Sequence, residues 1–150
     1  MLFRDKFLFS LLFIFFLAGC KEKEEPTYTI AFWQCTGDDT SRRDMLRGMQ
    51  RELAFHPNVV LEYRDARNNS QKQISQIKEL LEAKPDLLIV SPNEAEPITP
   101  IVEEVYQKGI PVVVVDRKTA SSFYTAYVGG NNYEVGKTAG QYIGAALKGQ

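Results

Sequence analysis

The run Ile110-Pro111-Val112-Val113-Val114-Val115-Asp116-Arg117-Lys118 constrains the fold more than any other stretch. An unbroken β-branched run reads as a strand buried on both faces, as strands inside parallel sheets are. It ends abruptly in a carboxylate and a guanidinium. In an open α/β sheet, ligands bind beyond the carboxyl ends of the strands, where Asp116 and Arg117 would sit. Such a pair suits adjacent hydroxyl groups, because the carboxylate accepts hydrogen bonds and the planar guanidinium donates a fork of them. The plainer reading is a surface ion pair at a strand end.

The rest of the chain alternates around this run. Tyr28 to Trp33, Val59 to Arg64, Leu87 to Val90 and Thr125 to Val128 read as further strands. Between them, Met45, Leu46, Met49 and Leu53 have helical spacing, as do Ile74, Ile77 and Leu81, and Ile98, Ile101, Val102 and Val105. Ser70 with Gln73, and Asn131 with Glu134, fit capping boxes. Gly109 ends the third helix. Val135, Ala139, Tyr142, Ile143 and Ala146 mark a last one. Strands alternating with helices build a parallel sheet with right-handed crossovers. The expected fold is α/β, a three-layer parallel sheet of order 2-1-3-4-5, with its topological switch between strands one and three. Four loops then converge on one edge: Cys35 to Arg43, Asp65 to Asn69, Ser91 to Glu96 and Asp116 to Tyr124.

The start of the chain reads differently. Residues 1–20 form a leader: Arg4 and Lys6 supply a basic region, and Phe7 to Leu17 an apolar one too short for a confident membrane span. Leu17-Ala18-Gly19-Cys20 resembles a bacterial lipobox, which implies a lipid on Cys20. Residues 21–26 read as a charged tether, and 27–150 as one incomplete lobe. The acidic residues after Cys20 also resemble surface-export signals of Bacteroidetes-type bacteria. With Cys20 lipidated, Cys35 has no partner and reads as a small buried residue at a strand end.

Several chemistries find no support. With 18 basic and 19 acidic residues, nothing points to nucleic acid. The lone histidine, His56, and the cysteine spacing supply no metal site and no Cys/His catalytic pair. There is no G-x-G-x-x-G, P-loop or nucleophile elbow, so no cofactor is expected. A receiver domain would need an aspartate where Ser91 ends the third strand. What remains is polar, hydroxyl-seeking chemistry. The candidate site residues are Asp38, Asp39, Arg42, Asn93, Asp116, Arg117 and Asn132, with Ser41, Glu94 and Asn131 beside them. Trp33 reads as core rather than as a stacking platform.

Three segments carry a resemblance: Gly109-Ile110-Pro111 leading to Val115-Asp116-Arg117; Ser91-Pro92-Asn93; and Gly130-Asn131-Asn132-Tyr133-Glu134-Val135-Gly136. Together they resemble the first lobe of type I periplasmic sugar-binding proteins, the ribose-binding and LacI-like group, over about Thr27 to Lys148. The resemblance implies that Asp116 and Arg117 hydrogen-bond sugar hydroxyls. A narrower likeness runs through Trp33-Gln34-Cys35, Asp38-Asp39, Arg42-Arg43, Ser91-Pro92-Asn93-Glu94 and Asp116-Arg117-Lys118. It resembles the extracytoplasmic sensor of Bacteroides hybrid two-component systems. Those sensors bind a sugar and precede a histidine kinase. The loop from Thr36 to Arg43 lacks the aromatics of many relatives, which leaves the sugar class open.

The implied partners are a small sugar, a membrane through the lipid anchor, a second lobe of the parent protein, and a kinase or, alternatively, an ABC-type permease. The implied location is a periplasm-facing membrane of a Gram-negative bacterium. The chain is expected to stop short of a complete first lobe and so to hold one wall of a site. Binding is expected rather than catalysis, since no nucleophile–base set stands out.

Overall fold

Residues 25–147 are described by a computed structural model, in which each apolar run becomes a strand. The order is β1 (Tyr28–Gln34), α1 (Thr40–Leu53), β2 (Val59–Asp65), α2 (Ser70–Ala83), β3 (Leu87–Ser91), α3 (Ala95–Gln107), β4 (Val112–Val115), β5 (Ala126–Val128) and α4 (Asn132–Ala146). All pairings are parallel and the sheet order is β2-β1-β3-β4-β5, as expected. The leader with Cys20 and most of the tether lie outside the described residues. Among those described, no helix is long and apolar enough to cross a membrane.

The two faces of the sheet differ. Ala31, Leu88 and Val112 share a row, as do Trp33, Val90 and Val114. These side chains meet Ile77 and Leu80 of α2 and Ile98, Ile101, Val102 and Val105 of α3 in one buried cluster. Each full burial of such a side chain stabilises the fold by about 1.5–3 kcal/mol. The opposite face carries Ile30, Ile89 and Val113, all only half-buried, with Phe32 buried against Tyr63. There α1 covers the β2 side and has no fully buried residue. The β4 run is therefore buried on one face and half-covered at Val113 on the other, rather than sealed on both as its composition suggested.

Local signals were displaced in three places. β4 begins at Val112, because Pro111 has no N–H for the ladder. α1 begins at Thr40, inside the stretch read as loop. Asp39 caps it by accepting the Arg42 N–H at 2.8 Å. The expected Ser70–Gln73 capping box does not form. Asn69 is the N-cap and accepts from the Lys72 N–H, while Gln73 is withdrawn into the core. Asn131 caps α4 as expected, accepting the Glu134 N–H. α4 itself is exposed along its whole length, with Val135, Tyr142 and Ile143 in solvent.

Candidate functional site

The carboxyl edge of the sheet gathers the ends of β1, β3, β4 and β5. Arg42 is its hub. Capping by Asp39 places Arg42 in the first turn of α1, and the Gln34 amide donates to its main-chain carbonyl at 3.1 Å. The guanidinium then reaches two carboxylates. Nη1 donates to Asp39 Oδ2, and Nη2 donates to Asp116 Oδ2 at 2.7 Å. Since β3 separates β1 from β4, this bridge spans the topological switch. The Arg42 side chain is 18% exposed, against 44% for Asp39 and 45% for Asp116, so the cation is sheltered and its anions face solvent.

The electrostatics follow from that geometry. The Arg42 backbone N–H and guanidinium hold the Asp39 carboxyl below the usual carboxylate range. Burial pulls Arg42 downward, but the hydrogen bond it donates to Asp39 and the nearby anions outweigh it and raise its pKa. Arg42 Nε is buried with no partner among the described residues.

Arg117 does not pair with its neighbour Asp116. Its guanidinium donates to the Asn93 carbonyl, tying β4 to β3. Asn93 is held from beneath by Gln73, which is fully buried. The Gln73 amide donates to the Ser91 carbonyl and accepts the Asn93 N–H, each at 2.9 Å. Asn93 Nδ2 donates to Ser70 Oγ at 2.8 Å, and Ser70 Oγ donates to Glu94. Asn93 thus faces the edge with its carbonyl, while its amide nitrogen is engaged by α2.

Two open hollows meet here. One, of about 300 Å³, is lined by Ser41, Arg42, Met45, Asp116, Arg117 and Asn132. The other, of about 470 Å³, shares Asp116, Arg117 and Asn132 and runs under Tyr127 to Gly129 and Gly130. Of the sequence candidates, Asp39, Arg42, Asp116, Arg117, Asn93 and Asn132 come together. Asp38 is exposed, and it joins through its main-chain carbonyl, which accepts from Arg43. Trp33 is core, as expected. Cys35 is buried beside Ser91. Gln73, Met45 and Tyr127 were not among the sequence candidates. Each sits on a helix or strand where periodicity announces packing and nothing announces a site.

This wall can bind a polyhydroxylated molecule. It offers carboxylate acceptors and guanidinium donors side by side, with fixed spacing and partial shelter. Among the described residues no cluster of His, Cys, Asp or Glu has the makings of a metal site.

Comparisons with known proteins agree with the architecture. A model of the periplasmic binding protein domain matches residues 30–150. The chain is 31% identical over 83 residues to the ribose import binding protein RbsB of Bacillus subtilis (strain 168), covering 55% of this chain and 27% of that protein. Among solved structures, it is 47% identical to the fructose binding periplasmic domain of hybrid two component system BT1754. That match has a TM-score of 0.79 and covers 82% of this chain and 41% of the other. It is 28% identical to the periplasmic component of an ABC-type sugar transport system from Hahella chejuensis, with a TM-score of 0.70, over 75% of this chain and 41% of the other. The matched segments cover 27% of the curated relative and 41% of each solved one, and the chain belongs to the periplasmic binding protein domain family.

Proposed function

We propose that this chain is one wall of an extracytoplasmic sugar-binding site, in a sensor of the hybrid two-component type that binds fructose or a similar small sugar. The observation that carries the reading is the Arg42–Asp116 bridge beside the Arg117–Asn93 contact, at the sheet edge of a chain 47% identical to a fructose binding periplasmic domain. Asp39, Arg42, Asp116, Arg117 and Asn132 are the side chains assigned to hydroxyl recognition, with Asn93 and Asp38 shaping the wall. The domain binds and does not catalyse.

The second lobe expected from the sequence belongs to the same proposal. It is supported by the exposed length of α4, the half-covered sheet face and the 41% coverage of the solved relative. A lone wall buries too little of a small ligand to hold it well. The lipid on Cys20 and attachment to a periplasm-facing membrane complete the reading; lipid labelling abolished by Cys20→Ser would support it, and equal labelling of both would refute it. A transport role, as the binding protein of an ABC-type permease, is the second reading, favoured by the 28% and 31% identities above.

Calorimetric titration of the full-length protein with fructose, ribose and glucose tests the main reading. Saturable binding of fructose ahead of the aldoses is expected, and no binding of any of the three overturns it. A kinase or a stop codon downstream in the gene separates sensor from transporter.

A further inference from the structure

Asp116 lies in the left-handed region, at φ 65. That conformation is costly for a residue with a Cβ, although Asp tolerates it better than most. The Arg117 N–H donates to the Val115 carbonyl at 2.8 Å, closing a three-residue turn around Asp116. A turn of this kind persists only where its surroundings hold it.

The hold comes from β5. The Asp116 N–H donates to the Val128 carbonyl at 2.9 Å, the last rung of the β4–β5 ladder. In a regular parallel ladder the Gly130 N–H would next donate to the Asp116 carbonyl. The Tyr127 hydroxyl stands in its place, donating to that carbonyl at 2.9 Å. Tyr127 is opposite Val114 and packs against the buried core cluster, so its hydroxyl is aimed from a fixed base. Lys118 Nζ lies 4.7 Å from the centre of its ring. Gly129 leaves the room: a Cβ there would fall 2.1 Å from the hydroxyl and 3.0 Å from the Asp116 carbonyl.

We propose that Tyr127 is a positioning residue for the sugar site. Through the Asp116 carbonyl, its hydroxyl holds the turn that directs the Asp116 carboxylate toward Arg42 and starts the Arg117 side chain toward Asn93. Gly129 is required because any side chain there displaces that hydroxyl. The inference deepens the sugar-site reading and rests on it for its effect on affinity.

The test uses Tyr127→Phe in the full-length protein, which keeps the ring and its packing and removes only the hydroxyl. A ligand-free crystal structure of the variant should show Asp116 out of the left-handed region and its carboxylate away from Arg42. The Kd for fructose should rise about tenfold, chiefly through slower association, because the competent turn is populated only part of the time. The unfolding midpoint should stay within about 2 °C, since relief of the turn offsets the lost hydrogen bond. Gly129→Ala should reproduce the rise in Kd by a different route. An unmoved Asp116, or a moved Asp116 with unchanged Kd, overturns the proposal. So does a lowered midpoint with unchanged Kd, the mark of a merely structural tyrosine. If the wild-type protein binds no fructose, the sugar reading fails, and the crystal structure of the variant alone decides whether Tyr127 holds the turn.

Discussion

Asp116 offers the sharpest test of the site, because two substitutions there separate charge from backbone geometry. Asparagine is, with aspartate, among the residues most tolerant of the left-handed region, so Asp116→Asn keeps the turn and removes the charge. A hydrogen bond to a charged group contributes about 1.5–3 kcal/mol, against about 0.5–1.5 kcal/mol for a neutral one. The Asn variant should therefore lose about 1–1.5 kcal/mol of binding, roughly five- to twelvefold in Kd. Asp116→Ala loses the whole interaction and should weaken affinity by roughly ten- to 150-fold. Folding should change little in Asp116→Asn, whereas Asp116→Ala should lose about 1 kcal/mol, because alanine tolerates the left-handed region less well. The Asp116 side of its pair with Arg42 faces solvent, where such pairs contribute at most about 1 kcal/mol, and Arg42 retains Asp39. The assay is calorimetric titration of the full-length protein with fructose, alongside urea unfolding of each variant. If both variants bind like wild type, the sugar is held elsewhere and the reading of this strand end is wrong. If both lose binding only because they unfold, Asp116 is structural.

Three further outcomes follow from the geometry. Asp39 has a folded-state pKa below its unfolded value, so its contribution to stability is present above about pH 4 and is lost as pH falls through the depressed folded value. Unfolding midpoints of wild type and Asp39→Asn should accordingly differ at pH 6 and converge toward pH 3; a constant gap across that range would contradict the ion pair with Arg42. Gln73→Leu removes the buried amide that serves Ser91 and Asn93, and should cost about 1–3 kcal/mol in urea unfolding. A loss under about 0.5 kcal/mol would mean that water replaces the amide. Leu88→Ala, at a fully buried position in the middle of the core, should cost about 2–5 kcal/mol, whereas Val60→Ala on the exposed edge strand should fall within about 0.5 kcal/mol. Comparable losses at the two positions would refute the location of the core.

The strand order was legible because it follows from alternation. Short β-branched runs separated by helical spacings leave a parallel sheet as the economical arrangement, and right-handed crossovers restrict its order. The place of Asp116 and Arg117 at the sheet's carboxyl edge was legible for a related reason, since the residues that follow a buried strand of such a sheet stand there. Arg42 and Asn93 stood among the candidates too, but which side chains would pair was not legible. Arg42 is 74 residues from Asp116 and on a non-adjacent strand's loop, and no local spacing encodes that meeting. The adjacent pair looked like a unit in sequence, but the turn at Asp116 sends the two side chains to different partners. The Ser70–Gln73 box failed for a comparable reason. Asn69 and Ser70 are both good caps, and the choice fell to Asn69 because Ser70 bonds Asn93 and Glu94 and Gln73 serves the core.

The sequence by itself determined the kinds of element, their order and the edge at which chemistry collects, because hydrophobic period and strand-end position are local properties of the chain. Only the tertiary structure decided which charges meet, which amide is buried and which face stays open. Those outcomes depend on distances between segments that are remote along the chain. The left-handed Asp116 shows the division clearly: its carboxylate is plain in the sequence, but its backbone conformation is imposed by a hydroxyl on the next strand and the room left by a glycine just past it. Aspartate alone does not prefer that conformation, and it persists because packing across β4 and β5 holds it there.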